Sequence, residues 1–175
     1  MVMAQAAGFS DIGKVRQKNE DSFLLNEPIG LYVVADGMGG HRGGGVASRM
    51  AIEAIDTYMS NTSEQTTGDD EANTAETQND NAHHLLKSIF LANQKIYAQS
   101  VADEAFRGMG TTVSALLLVG DTIITANVGD SPIYLLRNRE IEILYTPHTL
   151  LHERKKVPVS LTDRFSSAKL AHVLT

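Results

Sequence analysis

The chain has 175 residues and a formal charge of -6, with 42% hydrophobic and 21% charged residues, ordinary values for one soluble globular domain. The acidic balance offers no basic footprint for a nucleic acid. There is no cysteine, which excludes disulfides, thiolate nucleophiles and zinc–sulfur sites, and no run approaches the ~18 apolar residues of a membrane span.

Met1 to Phe9 lacks the charged start and long apolar stretch of a signal peptide, so a cytoplasmic protein is the expectation. Residues 7–26 read as strand, turn, strand, with Asp11-Ile12-Gly13-Lys14 as the turn and Phe23-Leu24-Leu25 as the apolar part of the second strand. Asn26 to Gly30 is a hairpin loop, and Leu31 to Ala35 is the next strand. A helix is predicted from Val46 to Met59, where Val46, Met50, Ala54 with Ile55, and Tyr58 recur on one face. Residues 61–82 are polar and acidic and read as a disordered surface loop. A second helix is expected from His83 to Asp103, its stripe of Leu85/Leu86, Ile89/Phe90, Ile96/Tyr97 and Val101 serving the core. Thr111–Val119 and Thr122–Val128 form a hairpin about Gly120-Asp121. Ile133–Leu136 and Ile141–Tyr145 form another about Arg137 to Glu140. Strands in antiparallel pairs with two helices inserted together make an α+β protein, an antiparallel sheet or sandwich with helices outside, and not alternating βαβ.

The chemistry concentrates at Asp36-Gly37-Met38-Gly39-Gly40-His41. A buried-looking strand that ends in Asp and turns on glycines delivers a carboxylate to the rim of a sheet. Glu20-Asp21 lies one hairpin upstream, and Glu20 and Asp36 on neighbouring strands can share one hard cation. Oxygen-only ligands suit Mg²⁺, Mn²⁺ or Ca²⁺ rather than zinc. Read alone, Asp36 is equally an Asp that ends a strand and caps a turn. Arg16 and Glu20 share a face if both lie in one regular strand, and a guanidinium beside a metal carboxylate is apparatus for a phosphate ester. The glycine cluster Gly37–Gly45 is not a nucleotide cradle. Gly45 is followed by Val46 where a Walker loop needs Lys, and Ser48 stands where a dinucleotide fingerprint needs its last Gly. His41 reads as a turn residue rather than a general acid. The other histidines show no ligand spacing.

Four blocks in register carry a resemblance. These are Arg16-x-x-Asn19-Glu20-Asp21, Asp36-Gly37-Met38-Gly39-Gly40-His41, Gly108-Met109-Gly110-Thr111-Thr112 and Asn127-Val128-Gly129-Asp130-Ser131. Together they closely resemble the bacterial metal-dependent protein phosphatases of the protein phosphatase 2C family. The resemblance implies an antiparallel β-sandwich flanked by helices, and hydrolysis of phosphoserine and phosphothreonine proteins by a water activated by two Mn²⁺ or Mg²⁺ ions. It implies that Asp36 bridges both metals, that Glu20 and the Gly37 carbonyl bind the second, and that Asp130 serves an optional third. It further implies that Asp21 orients bound water and that Arg16 clamps the phosphate. The partners implied are phosphoproteins and an opposing serine/threonine kinase, with no nucleic acid or membrane.

Three positions depart from the family pattern. Pro132 replaces the usual Arg after Gly-Asp-Ser, and Pro147-His148 replaces the usual Asp-His. The sequence ends at Thr175, before the Asp-Gly and Asp-Asn blocks whose aspartates complete the first metal site. The expectation is a single partial phosphatase domain over 1–175 with its first metal site incomplete. The alternative is a truncated, catalytically weak or inactive module that binds phosphoproteins or regulatory partners. A metal- or ligand-sensing regulatory module is a third reading.

Overall fold

In a computed structural model of the chain, residues 4–39, 43–65 and 75–144 are described. Gly40-His41, Pro147-His148, the middle of the acidic stretch and the first three residues lie outside them.

Strand β1 (Asp21–Asn26) pairs antiparallel with β2 (Leu31–Met38) across a short 3-10 turn at Glu27–Ile29. Helices α1 (Gly44–Gln65) and α2 (Ala75–Ala102) follow together. The two-residue β3 (Gly110–Thr111) pairs with the end of β2. Then β4 (Val113–Val119) and β5 (Thr122–Val128) form the expected hairpin. The sheet order is β1-β2-β4-β5, with β3 off the path. A second, two-stranded sheet pairs β6 (Tyr134–Arg137) with β7 (Glu140–Ile143). Its turn residues Asn138 and Arg139 both have left-handed φ, 53° and 67°, as a two-residue hairpin turn favours.

Period-two alternation divides the main sheet into two faces. Leu31, Val33 and Ala35 of β2 are buried, as are Val113, Ala115 and Leu117 of β4. Register joins Val33 to Ala115 and Leu31 to Leu117, so these residues form one apolar face. Helix α1 lies over β1 and β2, and α2 lies beside it against β4 and β5. Ala47, Ala51 and Ala54 are buried on α1, with Ile55 and Leu85 fully enclosed in the same core. Each large enclosed side chain contributes roughly 1.5–3 kcal/mol by leaving water. No helix among the described residues is long and apolar enough to cross a membrane.

The opposite face carries Phe23, Leu25, Val34 and Ile123, all exposed. A groove of about 640 Å³ runs along it, flanked by residues 5–10 and by Ser131–Tyr134. The α+β architecture and the antiparallel sheets agree with expectation.

Two local expectations are corrected. Residues 4–20 contain turns but no strand, so Arg16 and Glu20 do not share one. Side chains there bond locally instead: the Gly13 amide donates to Asp11 at 2.7 Å and Asn19 donates to Ser10 at 2.6 Å, turn contacts that compete with a ladder. The stretch 61–82 is also not loop throughout. Helix α1 continues to Gln65 and α2 begins at Ala75, leaving 66–74 outside the described residues. Thr62 bonds back to the Tyr58 carbonyl, Asn81 bonds to that of Thr77, and Gln78 donates to Thr122 of β5 at 3.0 Å. These anchors hold helix where the sequence has no apolar stripe.

Candidate active site

Asp36 is the sixth residue of β2, and its register partner on β1 is Asp21. Paired residues project to the same face, so both carboxylates stand at one end of the open face. Asp36 is exposed at the rim. Its carboxyl is nevertheless held above the ordinary carboxylate range. Partial burial is the main cause, followed by the charge of Asp21, a hydrogen bond with Asp21 and the charge of Asp130. The Arg16 guanidinium pulls the other way. Arg16 thus reaches the field of Asp36 through a turn and not along a strand.

Asp21 is fixed by its own loop. Its amide donates to the Asn19 side-chain oxygen at 3.0 Å, and Ser10 Oγ donates to its carboxylate at 3.3 Å.

Glu20 sits one residue before β1 and one step along the pleat from Asp21. Its carbonyl accepts from the Gly37 amide at 3.2 Å and from the buried Ser48 hydroxyl of α1 at 2.7 Å. Ser22 Oγ lies 2.9 Å from that hydroxyl. The Glu20 carboxyl packs against Gly44, where an added Cβ would lie 2.8 Å from it. Gly37 is the crossing point of these segments. A Cβ there would collide with the Gly44 carbonyl and approach the Glu20 carbonyl at 2.8 Å, so the close approach of backbone to backbone requires glycine.

Asp130 lies in the turn after β5, four residues before β6. Gly129 before it has φ +103°, and a Cβ there would meet the Thr112 methyl at 2.7 Å. The turn is therefore pressed against Thr112, whose side chain bonds to Asp36.

The expected site residues are thus brought to one end of the sheet, with Asp21, Asp36 and Asp130 as a crowded acidic group. They do not form a closed cage. Among the described residues no three His, Asp or Glu side chains converge closely enough to hold a metal unaided. Glu20 and Asp36 leave the pleat on opposite faces, with the Gly37 backbone between them. The residues present fit a hard divalent cation in two respects. The donors are all oxygen, and the charges of Asp21 and Asp130, which add to burial in raising Asp36, are what a bound cation relieves. His41 lies outside the described residues. Of the hydroxyl residues that organise this end of the sheet, Thr112 and Ser131 lie inside the sequence blocks above, while Ser48 and Ser114 carry no distinctive sequence signal. Their hydroxyls matter only through the register.

The family model described as protein phosphatase 2C matches residues 14–172. A serine/threonine phosphatase, Stp, of Listeria monocytogenes is 38% identical over 149 residues, which cover 82% of this chain and 54% of that protein. The solved serine/threonine phosphatase of S. agalactiae is 32% identical with a TM-score of 0.72, over 95% of this chain and 65% of that one. A catalytic domain of the phosphatase PstP, solved with two manganese ions, is 30% identical with a TM-score of 0.69, over 95% of this chain and 63% of that one. The chain spans about half the length of the curated relatives it matches. Given a family match over almost the whole sequence and the same fold at this level of identity, the chain belongs to the protein phosphatase 2C family.

Proposed function

We propose that the chain is part of a Mn²⁺- or Mg²⁺-dependent serine/threonine phosphoprotein phosphatase, a single partial phosphatase domain over 1–175. The observation that carries this reading is the pairing of Asp21 with Asp36 at the sheet rim, beside Asp130 and within the field of Arg16. In it, Asp36, Glu20 and the Gly37 carbonyl would hold the divalent cations, Asp130 would hold an optional further one, and Asp21 would orient water by hydrogen bonding. Such cations, when bound, would supply a more acidic water and offset charge at the phosphoryl group.

The protein's own residues do the rest. Arg16 offers its planar fork of donors to the phosphate oxygens. Gly37, pinned to Glu20, keeps its carbonyl at the rim. The Asp21 loop, closed by Asn19 and Ser10, prevents that carboxylate from swinging away. No protein nucleophile is required, which suits a chain without cysteine. A cytoplasmic location and an opposing serine/threonine kinase belong to the same proposal and rest on the family alone.

The test is hydrolysis of a phosphothreonine peptide with Mn²⁺ by this chain and by a form extended to the length of its relatives. Turnover by the extended form that is lost in Arg16→Ala supports the reading. Mn²⁺ binding without turnover in either form would favour a module that binds phosphoproteins without hydrolysing them.

A further inference from the structure

A polar network lies on the open face, directly behind the acidic end. Thr112, almost fully buried, links two segments. Its Oγ1 accepts from the Asp36 amide at 3.0 Å and lies 2.8 Å from Ser131 Oγ. Its own amide donates to the Asp36 carbonyl at 2.9 Å. The Ser131 carbonyl in turn accepts from Ser114 Oγ and from the Asn127 side-chain amide, both at 2.8 Å. Asn127 also donates to Ser114 Oγ at 2.8 Å.

Two details indicate that this network serves position more than stability. The Asn127 amide donates once to the turn, at the Ser131 carbonyl, and once to Ser114 Oγ on β4, and its buried Oδ1 has no partner among the described residues. A buried carbonyl left unpaired weakens a fold, and an apolar pair at 114 and 127 would avoid that cost. The network also joins the β2 end to the post-β5 turn. Asp36 is one end of it by its backbone, and Asp130 immediately precedes Ser131 at the other. Gly129 is pressed on the Thr112 methyl, so the hydroxyl and the methyl of one side chain set both the tether and its length.

We propose that Thr112, acting through Ser131, Ser114 and Asn127, is a positioning residue that locks the Asp130 turn to the Asp36 strand end and so fixes the spacing of those two carboxylates. Its purpose rests on the metal-dependent phosphatase reading, and its existence as a tether does not. Partners that orient metal-binding groups typically change metal affinity by about 10–100-fold when removed. The tether acts at the low end of that range, since it positions carboxylates through the backbone.

The experiment compares Thr112→Val, Thr112→Ser and Ser131→Ala with the parent chain. Val keeps the shape and loses the hydroxyl. Ser keeps the hydroxyl and loses the methyl. Ser131→Ala leaves the turn carbonyl held by Ser114 and Asn127, so it tests the link even if Thr112→Val folds poorly. Amide hydrogen exchange is read without metal, and Mn²⁺ affinity by titration calorimetry. Thr112→Val should speed exchange at Asp36 and also at Gly129, Asp130 and Ser131. It should also weaken Mn²⁺ binding by about tenfold. Ser131→Ala should act in the same direction and less, and Thr112→Ser, which keeps the hydroxyl and loses the methyl contact with Gly129, should weaken binding less than Thr112→Val. Unchanged exchange at residues 129–131 in both Thr112→Val and Ser131→Ala would overturn the tether. Loosened exchange with parental Mn²⁺ affinity would overturn its positioning role. A parent chain that binds no Mn²⁺ while the exchange coupling holds would count against the phosphatase reading and leave the tether supported.

Discussion

The two faces of the main sheet are built from the same strands and obey different rules. On the helix-covered face Leu31, Val33 and Ala35 lie with Ala115 and Leu117 beneath α1 and α2, and at the β1 edge Ser22 and Asn26 bond to polar side chains of α1. The other face is graded. Leu25, Tyr32 and Leu116 lie at one end, Phe23 and Val34 lie in the middle in one row with Ser114 and Asn127, and Asp21 and Asp36 lie at the other. One residue of β2 points to the core and the next to the site. The large buried apolar side chains therefore lie on one face and the Asp21–Asp36 pair on the other, while Glu20 turns to the helix side against Gly44.

Changes on the helix-covered face should carry the largest stability effects. Ile55→Ala removes a fully enclosed side chain and should cost about 2–5 kcal/mol in urea unfolding. Metal affinity in the protein that remains folded should be nearly unchanged, which separates the two faces cleanly.

Gly37→Ala attacks the point where the faces meet. The added methyl collides with the Gly44 backbone and crowds Glu20, and should cost roughly 1–3 kcal/mol by overpacking. Unlike Ile55→Ala it should also disturb Glu20 and so lower Mn²⁺ affinity. A melting temperature equal to the parent's would show that the crossing is looser than described.

The middle of the open face should respond in association rather than stability. Phe23 and Val34 are cross-strand partners and both exposed, and a contiguous apolar surface of this kind favours self-association. Phe23→Ser with Val34→Thr should reduce concentration-dependent light scattering. The stability change should stay within about 1 kcal/mol, as for exposed positions generally.

The smallest effect should have the opposite sign. Asp36 has a raised pKa in the folded state. Between the ordinary carboxylate value and that raised value the folded protein binds more protons than the unfolded one. Stability is therefore lost as pH rises through this window. Asp36→Asn removes the loss. In EDTA at pH 7 the variant should be more stable than the parent, by less than ~1 kcal/mol because the rim is screened by solvent. The gain should disappear below the ordinary carboxylate range. A variant less stable than the parent at pH 7 would mean that the carboxylate, even without metal, is a net stabiliser.

Much of this molecule is legible in its sequence. The β4–β5 hairpin follows from two β-rich runs around Gly120-Asp121, and the ends of the helices' apolar stripes fix their middles. What the sequence hides depends on tertiary partners. Residues 61–65 and 75–82 look like loop because they lack apolar periodicity, yet the bond from Gln78 to Thr122 and side-chain back-bonding keep them helical. Arg16 and Glu20 look like strand neighbours because their spacing is even, but local turns at Asp11 and Asn19 take the segment out of the sheet. Asp36, Glu20 and Asp130 stand out by their glycine-flanked blocks. Thr112 and Ser131 lie inside two of those blocks, but their link is formed across the sheet and cannot be seen along the chain.

The central claim is that the acidic end of the open face is a divalent-cation site organised on Asp36. Mn²⁺ titration calorimetry of the parent chain and Asp36→Asn, side by side at pH 7, tests it most directly. The account predicts saturable binding by the parent and its loss in the variant, even though the variant folds at least as stably. Equal Mn²⁺ affinity in the two proteins would contradict it.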